Sequence, residues 1–446
     1  MAQHTSPVHH VPYHLVCFGP DGVERKEPTG ELASDSLVDS AAIADVTDVF
    51  VFSHGWNGDL TDAKRQYGRW LDAMAECVAD RERLEGRARG FTPLLIGLHW
   101  PSKPWGDEPL GGNASFSVTA QDFKPTPEPI DQLVDEYASV LGDHPAIKSA
   151  IMRIVEVAKR DPIPASLPAV ARDAYDDLNR HLEIRAEGDG AAPGDDREIF
   201  DPEQMYQAIL MAEAAEPVAY GGFSLGGILG PLRYLSFWTM KKRAMLFGQS
   251  GAADLLTRLR TALPSARLHL AGHSFGCIVT SAAVAGPPET AFDGPRAESL
   301  VLIQGAMSLW SFCDRIPSRP DRDGYFRRVI GDRLVNGPIL TTTSVHDKAV
   351  RILYPLAASI LGQVAFGPGG LPAYGGVGTF GIQGPGIDIV DLDLQDPDAD
   401  YHFQPNVAYN LNANGVISTM KGVSGAHSDI CHPQVAHAVF RAADAS

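Results

Sequence analysis

Arg267 to Gly276 reads RLHLAGHSFG, a strand running straight into a glycine-flanked serine. RLHLA alternates with the period of a β-strand, and the small apolar run Ile278 to Ala285 predicts a buried helix after it. Between them, Gly272-His273-Ser274-Phe275-Gly276 fits G-x-S-x-G in the strand-to-helix setting that gives the pattern meaning. A serine hydroxyl is a poor nucleophile and has to be held proud of the sheet on a tight turn. The flanking glycines allow close backbone approach, and the following helix N-terminus points N–H groups at developing negative charge. The plain alternative is a serine in a glycine-rich turn. A second match, Gly222-Phe223-Ser224-Leu225-Gly226, follows only the short PVAY and acidic AEAAE, so Ser224 is expected in a bend leading to a helix at Pro231.

Working outward, Val46 to Ser53 (VTDVFVFS) is a buried strand feeding the loop HGWNGD. Thr61 to Asp80 carries Tyr67, Trp70, Leu71, Met74 and Val78 near the helical period, with Thr61 or Asp59 as cap, and Thr92 to Trp100 (TPLLIGLHW) is another strand. Strand, helix, strand at this spacing implies a right-handed crossover and a parallel sheet. The pattern breaks from Pro101 to about Gly221, read as an insertion whose EGDGAAPGDD stretch is expected as a mobile loop. A helix then runs from Pro231 towards a break at Gly248, and Leu255, Leu256 and Leu259 mark another. Beyond the serine, Ser299 to Gln304, Pro338 to Ser344 and Ile387 to Leu394 are strands, the second followed by a helix containing Val350, Leu353, Tyr354, Leu356 and Ile360. Phe366 to Gly386 is glycine-rich and irregular, and Pro433 to Ala443 is the last helix.

At 446 residues, with 44% hydrophobic and 21% charged residues, the chain has the composition of a globular protein able to bury a sizeable core. A net charge of −18 repels a phosphate backbone, so nucleic acid is not expected as a partner. The five cysteines, Cys17, Cys77, Cys277, Cys313 and Cys431, are odd in number and lack CxxC spacing, which suits a reducing compartment. The N-terminus lacks the basic start and apolar run of a signal peptide, and no stretch reaches the ~18 apolar residues of a membrane span. The expected location is the cytoplasm. His4, His9, His10 and His14 lack a completing ligand set, and alternation around Val11, Tyr13 and Leu15 reads as a first strand.

Over residues 45 to 100 and 265 to 443 these features resemble the α/β-hydrolase superfamily, whose chain order is nucleophile, acid, histidine. The resemblance implies an α/β fold, a mostly parallel central sheet flanked by helices. Residues 1–100 and 222–446 would form its core, and 101–221 a large inserted cap or lid. It makes Ser274 the nucleophile and places the acid in a loop after a later strand, where Asp347 in VHDKAV is favoured and Asp314 is the alternative. It places the base shortly before the last helix, where His427 in SGAHSDICHP fits, on a loop that Ser424 and Gly425 make flexible; His432 and His402 are less well placed. Half of the oxyanion hole would be the Trp56 N–H in HGWNGD and the other half the Phe275 N–H, with His54, Gly55, Asn57, Gly272, His273 and Gly276 in support.

Leu225 to Phe247 is rich in bulky apolar groups and reads either as a cap helix lining an acyl pocket or as a helix covering the sheet. Lys241, Lys242 and Arg243 read as its solvated end. The expected reaction is hydrolysis of a carboxylic ester through an acyl-enzyme, with no cofactor and no metal. Amide, thioester or lactone cleavage by the same groups, or a non-catalytic binding module that kept the fold, are the alternatives.

Overall fold

The computed structural model describes residues 3–40, 45–56, 58–102, 130–215, 219–220, 223–224, 227–287, 296–354, 370–420 and 424–445. Its strands, in chain order, are β1 (Gln3–Thr5), β2 (Pro12–Cys17), β3 (Asp48–Ser53), β4 (Pro93–His99), β5 (Ala219–Tyr220), β6 (Phe223–Ser224), β7 (Arg267–His273), β8 (Ser299–Ile303), β9 (Ile339–Thr343), β10 (Ile389–Asp393) and β11 (Ala408–Asn412). Nine of them form one sheet in the order β1-β2-β4-β3-β7-β8-β9-β11-β10, parallel throughout except where β1 meets β2. β5 and β6 pair only with each other. Burial follows from this order. DVFVFS in β3 is buried at every position because parallel strands are covered on both faces, whereas most of the edge strand β10 is exposed.

One face of the sheet carries Phe50, Phe52, Leu95 and Ile303 against the helices Leu60–Glu76 and Pro433–Asp444. The other carries Val49, Val51, Ile96 and Leu302 against Gly230–Phe247 and Gly276–Ala285, and the helices Ile130–Leu141, Pro145–Arg160, Ala169–His181 and Pro202–Ala215 join that same core. Chain order and strand order then create a crevice. From β3 the chain crosses one face to β4 on one side, and from β7 it crosses the other face to β8 on the opposite side. The adjacent pair β3 and β7 is therefore a switch point, and ligands of open α/β sheets bind outside the strand C-termini at such points.

Several local expectations need correction. Asn-containing AYNLN is a strand, β11, lying between β9 and β10, so Ile387 to Leu394 is an edge and not the last strand in chain order. The buried Asn410 amide bonds both backbone groups of Ile382 and the Asp391 carboxylate, which gives polar groups a place inside a sheet. The α-helix Gly230–Phe247 ends at Gly248 and a second helix follows, as expected, but the interruption is not a loop. The chain passes through a π-helical turn, Gly248–Ala252, into the helix Ala253–Ala262, and glycine is required at 248 because a Cβ there would lie 2.6 Å from Val279 O on the neighbouring helix. The EGDGAAPGDD segment is packed rather than mobile, with Asp189, Asp195 and Asp196 all buried. Lys241 is buried too, and not at a solvated helix end. It pairs with Asp196 and donates to Tyr354 Oη at 2.7 Å, so the segment between β4 and β7 supplies the counter-charge that makes its burial tolerable. Part of the helix expected after β9 lies outside the described residues, as does 366–369 of the glycine-rich tract.

Candidate active site

Ser274 sits at the C-terminal end of β7, in the middle of the sheet, with φ +57°. That left-handed conformation is costly for a residue with a side chain, and its surroundings hold it there. Ser274 N–H donates to Ile303 O at the end of β8, and Ser274 O accepts from Ala306 N–H and Cys277 N–H. The two motif glycines are steric necessities. A Cβ at 272 would lie 2.3 Å from Gly276 O, and one at 276 would lie 2.2 Å from Ser53 O. Gly55 has the same role across the crevice, because a Cβ there would come within 2.6 Å of Ser274 Cβ.

The three side chains proposed from separate parts of the chain meet. His427 Nδ1 is 2.7 Å from Asp347 Oδ2, and His427 Nε2 is 2.8 Å from Ser274 Oγ. An ionised carboxylate can only accept, so Nδ1 carries the hydrogen and Nε2 accepts from the serine hydroxyl. Asp347 is fully buried and follows β9; its Oδ1 accepts from Val350 N–H at 2.9 Å. With the Gln304 amide nitrogen turned towards its acceptors, Gln304 donates to Asp347 Oδ2 at 2.8 Å and to Gly378 O at 3.0 Å, and accepts from Thr342 Oγ1 at 3.2 Å. Gln304 is a third donor to this carboxylate that the sequence reading does not contain. Its only signal was a glutamine closing the apolar run SLVLIQ.

The loop carrying His427 is clamped, contrary to the flexibility expected at Gly425. Ala426 N–H donates to His346 O at 2.9 Å, and Gly425, at φ +62°, bridges to Asp347. A Cβ at 425 would lie 2.4 Å from His346 O, so glycine serves close approach of the histidine loop to the acid loop. His273 adds a second tether, donating from Nε2 to His427 O at 2.9 Å. Its ring is buried beside His427, and this desolvation and the neighbouring imidazole push its pKa down to about 3, which keeps it neutral. Burial drives the Cys277 thiol pKa far up, so this cysteine beside Ser274 stays a thiol.

The alternatives are placed elsewhere. Asp314 pairs with Arg327, His432 faces Asp429 at 3.1 Å, and His402 is exposed. Ser224 lies in the small β5–β6 hairpin, not at the end of a strand of the main sheet. Asn57 lies outside the described residues.

The loop after β3 is held from below. Tyr67 on the helix Leu60–Glu76 accepts from His54 N–H at 2.8 Å, and its hydroxyl reaches the carbonyls of Phe52 (3.2 Å) and Leu98. The His54 ring donates to Gly55 O at 2.8 Å and lies 3.1 Å from His99 Nδ1. Trp56, at the end of this support, lines a cleft of about 180 Å³ together with Ser274, Phe275 and His427. Phe237 and Tyr354 complete its aromatic wall, so the helix Gly230–Phe247 both covers the sheet and contributes one ring to the cleft. Phe275 is the N-cap of the helix Gly276–Ala285, which has no side-chain cap at that end. Chemically, the arrangement presents a hydroxyl hydrogen-bonded to an imidazole, itself oriented by a buried carboxylate, at the mouth of an uncapped helix. Among the described residues no three His, Cys, Asp or Glu side chains cluster as a metal site, and no helix is long and apolar enough to cross a membrane. Compared with protein-family models, curated proteins and solved structures, the chain matches none.

Proposed function

We propose that this chain is a serine hydrolase of the α/β-hydrolase type that cleaves carboxylic esters through an acyl-enzyme intermediate. The observation that carries the proposal is the unbroken relay from Ser274 Oγ through His427 to the buried Asp347 carboxylate, at 2.8 and 2.7 Å, on the wall of a cleft. The order Ser, Asp, His along the chain and the positive φ of a serine at a strand-to-helix turn add support.

In the proposed reaction His427 Nε2 takes the Ser274 proton as Oγ attacks the acyl carbonyl carbon. Asp347 holds the tautomer and stabilises the imidazolium. The tetrahedral oxyanion accepts from the N–H groups of Trp56 and Phe275, a role supported by the position of both residues on the cleft and by the close approach that Gly55 permits. His427 returns the proton to the leaving alkoxide oxygen, then deprotonates a water that attacks the acyl carbon, and passes that proton to Ser274 Oγ as the acyl C–Oγ bond breaks and the carboxylic acid leaves. An ester is the favoured substrate because its carbonyl is more electrophilic than that of an amide and its leaving group needs less proton assistance. The chemistry draws on side chains and backbone N–H groups alone.

An active-site fluorophosphonate tests the proposal. It should label the wild-type protein on Ser274 and leave Ser274→Ala unlabelled, and turnover of a p-nitrophenyl ester should fall by at least ~10⁴-fold in that variant. Absence of labelling in the wild type, or equal labelling of the variant, overturns the proposal. Faster turnover of the matching p-nitroanilide than of the ester would reassign the substrate as an amide.

A further inference from the structure

We infer that the cleft selects a short, uncharged acyl group and that Phe237 sets its length limit, an inference that rests on the hydrolase reading above. Size is the first argument. A cavity of ~150 Å³ holds a benzene molecule, so the cleft's volume of about 180 Å³ accommodates an acyl group of roughly six carbons. A long acyl chain would have to leave it.

Charge is the second. No Lys, Arg, Asp or Glu side chain lines the cleft among the described residues. Tyr354 brings a hydroxyl to this region, but that group is taken by Lys241 at 2.7 Å and Asp196 at 3.2 Å, which leaves the ring as the surface of the wall. An ionised acyl group would lose its hydration in the cleft without gaining a counter-charge.

The third argument identifies the residue. Phe237 is the hub of the aromatic wall, with ring centroids 5.6 Å from Trp56, 5.1 Å from Phe275 and 6.3 Å from Tyr354. Its helix cannot slide to make room, because Leu235, Trp238 and Met240 on the same helix are fully buried in the core. The wall is therefore rigid, and truncating Phe237 is the direct way to deepen the cleft. Ala306, also on the lining, is the place to make it shallower.

The test is kcat/KM for p-nitrophenyl acetate, butyrate, hexanoate, decanoate and palmitate, with melting curves to establish folding of each variant. For the wild type the optimum should fall at butyrate or hexanoate, with decanoate at least ~10-fold poorer. Phe237→Ala should raise the decanoate-to-butyrate ratio by about 10-fold, Phe237→Leu should raise it less while keeping more of the packing, and Ala306→Val should lower it. A monosuccinate ester should be turned over at least ~10-fold more slowly than butyrate. A wild-type optimum at decanoate or beyond, an unchanged ratio in folded Phe237 variants, or equal turnover of the succinate overturns the inference while leaving the hydrolase reading in place. No turnover at any chain length together with no fluorophosphonate labelling removes both.

Discussion

At the scale of single residues, the site includes three positions where only glycine fits. Ser274 adopts a left-handed backbone, and three glycines at 55, 272 and 276 allow the strand, the loop after β3 and the following helix to close around it. Asp347 is a buried carboxyl group with donors from His427, Val350 and Gln304. Asp347→Asn would present an amide nitrogen or oxygen to His427 and favour the wrong tautomer. In the proposed reaction it should lower kcat by ~10⁴-fold with little change in fold. Asp314, engaged with Arg327, makes the control: Asp314→Asn should leave ester turnover within a few-fold of wild type, and the reverse outcome in steady-state kinetics would exchange the two assignments.

At the scale of elements, the loop bearing Trp56 depends on one side chain from the helix beneath it. That helix starts at a capping box in which the Asp59 side chain accepts from Asp62 N–H at 2.8 Å and the Asp62 side chain from Asp59 N–H at 3.4 Å. Its Tyr67 then ties the ends of β3 and β4 to His54. Tyr67→Phe keeps the ring and removes these bonds, leaving buried backbone groups short of a partner. The expected cost is about 1–3 kcal/mol in urea unfolding. Ester turnover should fall with it, because the loop is proposed to supply half of the oxyanion hole. Equal unfolding midpoints for the two proteins would contradict this account of the loop's support.

At the scale of the whole molecule, the segment between β4 and β7 is joined to the rest of the core by buried charge. Asp189 accepts from Ser318 Oγ at 2.7 Å and Ser308 Oγ at 3.4 Å, with Asp196 and Lys241 close enough to affect it. Burial, offset in part by those hydroxyls, raises its pKa to about 7. The folded state thus holds a proton that the unfolded chain has already released between about pH 4 and pH 7. The stabilisation from this proton is full below the unfolded pKa and is lost as pH rises through 7. Asp189→Asn mimics the protonated form, so it should match wild-type stability near pH 4 and exceed it above pH 7, by up to about 4 kcal/mol. Urea midpoints of both proteins at pH 5 and pH 8.5 check the sign, and a variant that is less stable at the higher pH would refute it.

What the amino-acid order determined by itself was local. Strand period, glycine spacing and small apolar residues place a strand-to-helix turn with a serine at its centre at 272–276 and point to a parallel sheet, because both follow from backbone sterics and burial over a few neighbours. Tertiary packing decided the rest. Residues 274 and 427 are separated by 153 positions, and 347 and 427 by 80, so their meeting depends on the lateral order of the strands and on a loop clamp at Gly425. The same holds for Asn410, Lys241 and Gln304. Each is a polar side chain inside the fold, and of the three Lys241 is the one expected at a solvated helix end. Each is buried here because a partner remote in the chain, Ile382, Asp196 or Asp347, supplies the hydrogen bond or charge that burial requires.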